Sequence, residues 1–355
     1  MQIDFNSALV TGGAGFIGSH LVEALLSVGC KVAVLDNLST GNLQNLEPVM
    51  DHITFYENDI REPEMLEKAA ESCDVIFHLA AVVAVQQTIS NPVESTIIND
   101  IGTINVLEAA RAKNVRRVVL ASSCAVYGDD PGLPKKETLT PMPASPYAVH
   151  KLSAEHYARV YFDLFGLETV SLRFFNVYGP RQDPSSPYSG VISIFMAKAA
   201  SNQVPVIYGD GNQSRDFVYV KDVVKANLLA ASSENSAGKV FNIGTGSQVL
   251  INRLWDLIAA LGGHRSVPRY ELARSGDILH SVAGMELTQS ILNFKNDFTL
   301  EQGLEVTFDW YKGQMMEDRG RKADDRGQVT EDRDQRADDG RQRTVDGRQM
   351  REDGR

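Results

Sequence analysis

The chain has 355 residues, 43% of them hydrophobic, enough for one large core or two small ones. Its formal net charge of −11 argues against a nucleic-acid or anionic-membrane binder, which would carry a basic face. No apolar run approaches the roughly 20 residues that span a bilayer, Met1-Gln2-Ile3-Asp4-Phe5 lacks the basic and apolar regions of a signal peptide, and Cys30, Cys73 and Cys124 are an odd, scattered set without metal-ligand spacing; a reduced cytoplasmic protein with no metal is the expectation.

In chain order, strand candidates lie at 8–10, 31–35, 53–56, 75–79, 118–122 and 168–173, and helical patterns at 18–27, 62–71, 93–113 and 147–165. Several strands are nearly all apolar, as central parallel strands covered on both faces must be. The alternation predicts α/β architecture: a doubly wound parallel sheet of the Rossmann kind over 1–173. Beyond Arg173, Gly, Pro and Ser crowd 179–190. A helix follows at 192–200, then a strand at 206–208, helices at 222–231 and 253–261, and a strand-like 240–243 between those two helices. A smaller substrate-binding region is expected over 174–315, with about 215–245 returning to the main sheet. From Met316 onward the composition collapses to Asp, Arg, Gly, Glu and Gln, with no apolar face to offset the entropy of ordering, so 316–355 is expected to be a disordered charged tail.

Thr11-Gly12-Gly13-Ala14-Gly15-Phe16-Ile17-Gly18 follows the apolar Ala8-Leu9-Val10. Gly12, Gly15 and Gly18 let a backbone turn approach phosphate oxygens at the positive end of the helix that follows, a seat for a dinucleotide pyrophosphate. Asp36 ends the second strand about 20 residues on, where a carboxylate holds a ribose diol. No Arg or Lys follows between Asn37 and Met50, so NAD is favoured over NADP. Asp59 is placed to accept from the adenine amino group, with a plain loop Asp the alternative. Leu79, Ala80 and Ala81 close the fourth strand with small residues that let a cofactor lie near the sheet edge; His78 reads as a packed core histidine.

Tyr147 and Lys151 are one helical turn apart and face the same way. A neighbouring ammonium favours phenolate, so the phenol is expected to titrate below its reference of about 10 and to exchange a proton near neutral pH. Ser123 closes a strand in Ala121-Ser122-Ser123, where a hydroxyl meets both the reacting oxygen and Tyr147.

These motifs, with Ser122-Ser123-Cys124-Ala125-Val126-Tyr127-Gly128, Arg173-Phe174-Phe175-Asn176-Val177-Tyr178-Gly179-Pro180 and Arg215-Asp216-Phe217-Val218-Tyr219-Val220, resemble the extended short-chain dehydrogenase/reductases that act on nucleotide sugars, most of all the UDP-hexose 4-epimerases. The resemblance runs from about Ser7 to Tyr311. It implies tightly held NAD regenerated in each turnover, with Tyr147 taking the 4′-hydroxyl proton, and a homodimer packed through 93–113 and 147–165. It also implies that Phe16, Ile17, Asn37, Ile60, Asn99, Ser122 and Phe174 line the cofactor. Phe174 stands where some members carry Tyr.

At the substrate end the resemblance assigns Arg215 and Arg274 to the diphosphate, Asn176 to the same group, Asp277 to the ribose, and Val191, Val206 and Tyr208 to the uracil pocket. A planar guanidinium suits two phosphate oxygens. Ser281 matches the residue bordering the sugar's 2′ substituent; being small, it is expected to admit an N-acetyl group. Cys124 and Ala125 replace the Asp-Glu pair of the related 4,6-dehydratases, which disfavours dehydration. The rival readings are a UDP-glucuronate 4-epimerase and a catalytically silent NAD-binding sensor or scaffold.

Overall fold

The computed structural model describes residues 3–183, 190–263, 266–273 and 278–316. Its centre is a seven-stranded parallel sheet built from β1 (Ser7–Thr11), β2 (Lys31–Asp36), β3 (Ile53–Glu57), β4 (Val75–His78), β5 (Arg117–Ser123), β6 (Glu168–Phe174) and a strand from much later in the chain. The short strands β7 (Asn176–Tyr178), β8 (Val206–Tyr208), β9 (Ser214–Arg215) and β10 (Phe217–Tyr219) precede that strand, β11 (Lys239–Ile243). The sheet order is β11-β6-β5-β4-β1-β2-β3. Chain direction across the sheet reverses between β1 and β4, the switch point where doubly wound sheets open a ligand crevice at their carboxyl ends.

The alternation of side chains divides the core in two. Ala8, Val10, Val32, Val34, Val75, Phe77, Val119, Val170 and Leu172 point to one face, against α1 (Phe16–Ser27) and the later helix over 220–232. Leu9, Leu35, Ile76, Val118 and Leu120 point to the other, against α2 (Pro63–Ala69) and helices over 102–112 and 146–165. Each such side chain contributes about 1.5–3 kcal/mol by leaving water, which is why near-continuous apolar runs settle as central strands.

The helical pattern expected over 93–113 is divided. After α3 (Val85–Ser90) come α4 (Pro92–Thr96), a π-helical turn at Ile97–Ile101, and α5 (Gly102–Ala112). The wider turn sets Asn99 inward, where its side chain exchanges two hydrogen bonds with the backbone of Val82 (2.8 and 3.0 Å). Such π turns often mark functional positions. The long helix α6 (Pro146–Phe165) is capped by Ser145, whose hydroxyl accepts from Ala148 N, and ends at Gly166 with φ 70°.

Further helices are α7 (Val191–Ala200), α8 (Val220–Ser232), α9 (Ile251–Leu261) and α10 (Glu286–Leu292), with short strands β12 (Val249–Leu250) and β13 (Arg269–Glu271). β7 pairs β10, β12 pairs β9 and β13 pairs β8. Phe195 and Trp255 meet edge to face at 5.4 Å, joining α7 to α9. The main sheet and the residues after Arg173 fall in one compact unit, Met1–Thr307. The described part of the second unit, 308–316, is helical, and the rest of the charged tail lies outside the described residues. Among the described residues no helix is long and apolar enough to cross a membrane, and the three cysteines are free thiols.

Candidate active site

The turn after β1 is built on close approach. Gly12 has φ 72°, and a Cβ there would lie 2.7 Å from the backbone N of Ala80; one on Gly18 would lie 2.1 Å from the Gly12 carbonyl oxygen. The two glycines let the start of α1, the turn and the end of β4 converge without side chains between them. Gly15 is the N-cap of α1 and has no side-chain cap, so the first-turn N–H groups at Phe16 and Ile17 keep their donors for a ligand. Thr11 ties the loops: its backbone oxygen accepts from Leu79 N (3.1 Å), and its hydroxyl meets His78 Nδ1 (2.8 Å) and Ala80 N (3.4 Å). His78 Nε2 meets the Thr103 hydroxyl at 3.0 Å. Burial drives its pKa down to about 3, so it is a neutral core residue.

Asp36 stands at the carboxyl end of β2, 7% exposed. Its two oxygens accept from Ala14 N and Leu38 N, both at 2.9 Å, which fixes the carboxylate beside the Gly-rich turn; burial raises its pKa against those two bonds. Asn37 donates to Asp59 at 2.7 Å. Asp59 clasps its own loop: Arg61 donates to both carboxylate oxygens (Nε 2.9 Å, Nη2 2.8 Å). The guanidinium also holds its pKa below the usual range. Ile60 is buried against Gly102, and Leu79, Ala80 and Ala81 lie in the β4–α3 loop pinned by Asn99.

The structure brings Ser123, Tyr147 and Lys151 together at the carboxyl end of β5. Ser123 favours ionisation of the Tyr147 phenol, and Lys151 Nζ donates to the Ala121 carbonyl (2.8 Å) while lying 5.9 Å from the Tyr147 ring centroid. The expected acidic phenol is not what the free protein holds. Burial, the largest influence, pushes Tyr147 up to about 12; Ser123 lowers it and Cys124 raises it slightly. Burial also lowers Lys151 to about 8, against the opposing pull of Glu155. Desolvation outweighs the cation because the ammonium is spent on a carbonyl, not on the phenolic oxygen.

The Ser122 hydroxyl donates to Glu155 Oε1 at 2.5 Å. Phe174, in register with Ser123, is buried at the end of β6. His150 turns from Lys151 to Asp100, Nδ1 to Oδ2 2.8 Å.

At the substrate end, Asn176 begins β7, and its Nδ2 is buried with no hydrogen-bond partner among the described residues. Arg215 Nη1 donates to the carbonyls of Ser214 (3.0 Å) and Leu279 (3.4 Å). Ser281, 7% exposed, donates its N–H to the Ser214 carbonyl at 3.2 Å, which sets it beside Arg215. Asp216, quoted in the sequence motif but assigned no role there, clamps this region: it accepts from Thr245 N and Oγ1, Gly246 N and Ala283 N at 2.7–3.1 Å. Val191 opens α7, and Val206 and Tyr208 share one face of β8 with Ile207 buried opposite. Arg274 and Asp277 lie outside the described residues.

Residues 8–244 match the NAD dependent epimerase/dehydratase family. The chain belongs to that family. It is 42% identical to a putative UDP-glucose 4-epimerase of Methanocaldococcus jannaschii, over 86% of this chain and 98% of that one. Two solved structures are also similar. The UDP-N-acetylglucosamine 4-epimerase of Methanobrevibacter ruminantium in complex with UDP-N-acetylmuramic acid is 40% identical, with TM-score 0.84, over 88% of this chain and all of that one. The UDP-glucose 4-epimerase of Thermus thermophilus in complex with NAD is 38% identical, with TM-score 0.78, over 86% and 99%. NAD is therefore this enzyme's cofactor, and the side-chain-free convergence at Gly12 and Gly18 fits its pyrophosphate, as the fixed Asp36 carboxylate fits its ribose.

Proposed function

We propose that this family member is a 4-epimerase of UDP-hexoses, interconverting UDP-glucose with UDP-galactose and, through the small Ser281, UDP-N-acetylglucosamine with UDP-N-acetylgalactosamine, by way of a transient 4-keto sugar. The observation that carries the reading is the Ser123–Tyr147–Lys151 set at the end of β5, on the same sheet edge as the Gly-rich turn. Held by the Gly-rich turn and Asp36, NAD would supply the hydride acceptor and donor for C4 and a positive charge that favours the phenolate. Tyr147 takes the 4′-hydroxyl proton and gives it back; Ser123 orients both oxygens; Lys151, anchored on Ala121, holds the cationic field.

The neighbouring residues argue against dehydration. Burial pushes the Cys124 thiol up to about 12, and Ala125 offers no acid at all, so nothing at these two positions protonates a leaving 6′-hydroxyl. The orphan amide of Asn176 and the guanidinium of Arg215 are suited to a diphosphate. The subunit is read as one half of a dimer. Val93, Ile97 and Ile101 around the π turn, and Val149, Tyr157, Val160, Leu164 and Phe165 on α6, expose an apolar face, with Val93 73% and Leu164 72% accessible.

The test is a coupled epimerisation assay on purified protein, UDP-N-acetylglucosamine against UDP-glucose. Wild type is expected to turn over both and Tyr147→Phe neither. Ser281→Tyr is expected to keep the UDP-glucose reaction and lose the acetylated one by about 10–200-fold, the range that pocket fit supplies. Equal loss of both substrates would reject Ser281 as the gate. Turnover of UDP-glucuronate alone would move the reading to a glucuronate epimerase, and no turnover at all to a sensor.

A further inference from the structure

Tyr147, Lys151 and Glu155 stand one helical turn apart on α6. Glu155 is only 6% exposed and serves three donors: Ser122 Oγ at 2.5 Å, and Arg173 Nε and Nη2 at 2.9 and 2.7 Å. Arg173 pairs in register with Ser122 across β5 and β6 and lies 4.7 Å over the Tyr127 ring. Tyr127 in turn donates to Asn242 on β11 at 2.7 Å. A buried ion pair is no stronger a glue between helix and sheet than apolar side chains of the same size, so this one calls for another role.

The placement of Ser122 supplies it. Its neighbour Ala121 offers the carbonyl that receives Lys151, and its neighbour Ser123 acts on the Tyr147 phenol. We infer that Glu155 is a positioning residue: by fixing Ser122 it fixes the two groups on either side that hold the proton-transfer pair, and it supplies an anion one helical turn from Lys151. The inference rests on the reading of Tyr147 and Lys151 given above. Of the other groups around Lys151, Tyr147 on the same helix is a neutral phenol, His78 on β4 is neutral with a pKa of about 3, and the Asp100 carboxylate on the π turn hydrogen-bonds His150. Burial alone would drive Lys151 lower than about 8; Glu155 opposes it.

Two variants separate the parts. Ser122→Ala cuts the link and leaves the Glu155–Arg173 pair in place. Glu155→Gln keeps an oxygen for Ser122 and removes the charge. Each is compared with wild type for kcat and KM, for thermal midpoint, and for titration of Lys151 Nζ by NMR of 15N-lysine-labelled protein, its signal assigned by loss in Lys151→Arg. Ser122→Ala is expected to lose about tenfold in kcat, with KM within about twofold, the mark of misplaced groups rather than lost binding. Glu155→Gln is expected to lower the Lys151 midpoint by about one pH unit. Wild-type kcat in Ser122→Ala, or a loss carried by KM alone, would overturn the inference, as would an unmoved Lys151 midpoint in Glu155→Gln. If Glu155→Gln does not fold, the kcat and KM of Ser122→Ala decide. If wild type turns over no UDP-hexose, the functional reading fails by itself, and the Lys151 titration still decides the role of Glu155.

Discussion

Replacing Lys151 with Met is expected to abolish turnover and to stabilise the protein. The side chain is 9% exposed, and burial moves its pKa from 10.5 to about 8. The difference of about 2.5 units, at about 1.4 kcal/mol each, is roughly 3 kcal/mol of cost for keeping an ammonium there. The folded pKa lies below the unfolded one, so the unfolded chain binds more protons between the two values and stability rises with pH across that window; below about pH 8 the cost is present in full. Met keeps the length of the stem and removes the charge, and about 1 kcal/mol is lost with the bond to the Ala121 carbonyl. The net gain near neutral pH is then about 2 kcal/mol, or a few degrees in Tm. Urea unfolding of wild type and Lys151→Met without NAD, at about pH 7 and again near pH 10, reads it directly, because the gain should shrink at the higher pH. A variant less stable than wild type at neutral pH, or a gain that does not change with pH, would refute the reasoning.

Gly18→Ala puts a Cβ 2.1 Å from the Gly12 carbonyl oxygen and 2.8 Å from Gly13 Cα, so α1 must move off the turn. A displacement of that order should weaken NAD about a hundredfold, measured by calorimetric titration of stripped protein. Arg173→Met leaves the Glu155 carboxylate buried without its partner and should cost about 3–5 kcal/mol in urea unfolding, with Ser122→Ala costing far less. Ultraviolet difference titration of NAD-stripped protein should show no phenolate from Tyr147 below pH 9, given its pKa of about 12. A phenolate step near neutral pH that Tyr147→Phe removes would place the acidity in the free protein instead.

The sheet was legible because its strands are nearly pure Val, Ile, Leu and Ala, and the Gly-rich turn and Asp36 because close approach and a strand-ending carboxylate leave a fixed spacing. The Tyr147–Lys151 pair was legible for the same reason, since four residues on a helix is a fixed geometry. What the sequence did not disclose was competition for the same atoms. Arg61, two residues on, donates to both oxygens of Asp59, a pairing that spacing alone does not mark. Ser122 and Ser123 are adjacent hydroxyls, and only strand alternation sends one to Glu155 and the other to Tyr147. Glu155 itself had a signal, one further turn beyond Lys151, but an acid on a helix is ordinarily a solvated one until its partner on β6 is known. The π turn at 97–101 was hidden because its composition is that of a plain helix, and only the reach of Asn99 to Val82 gives it a reason.

Burial pushes each titratable group of the site toward its neutral form: His78 to about 3, Lys151 to about 8, Tyr147 to about 12. At neutral pH the phenol therefore keeps its proton and lies about five units from serving as a base, which is about 7 kcal/mol. Ser123 and Lys151 alone do not supply that. The remainder has to arrive with ligands that add positive charge and exclude water, so proton transfer is off until the site is filled. Such an arrangement needs Lys151 to stay protonated while buried. Its pKa of about 8 leaves little margin for that at neutral pH, and the anion one turn along the helix is what preserves it.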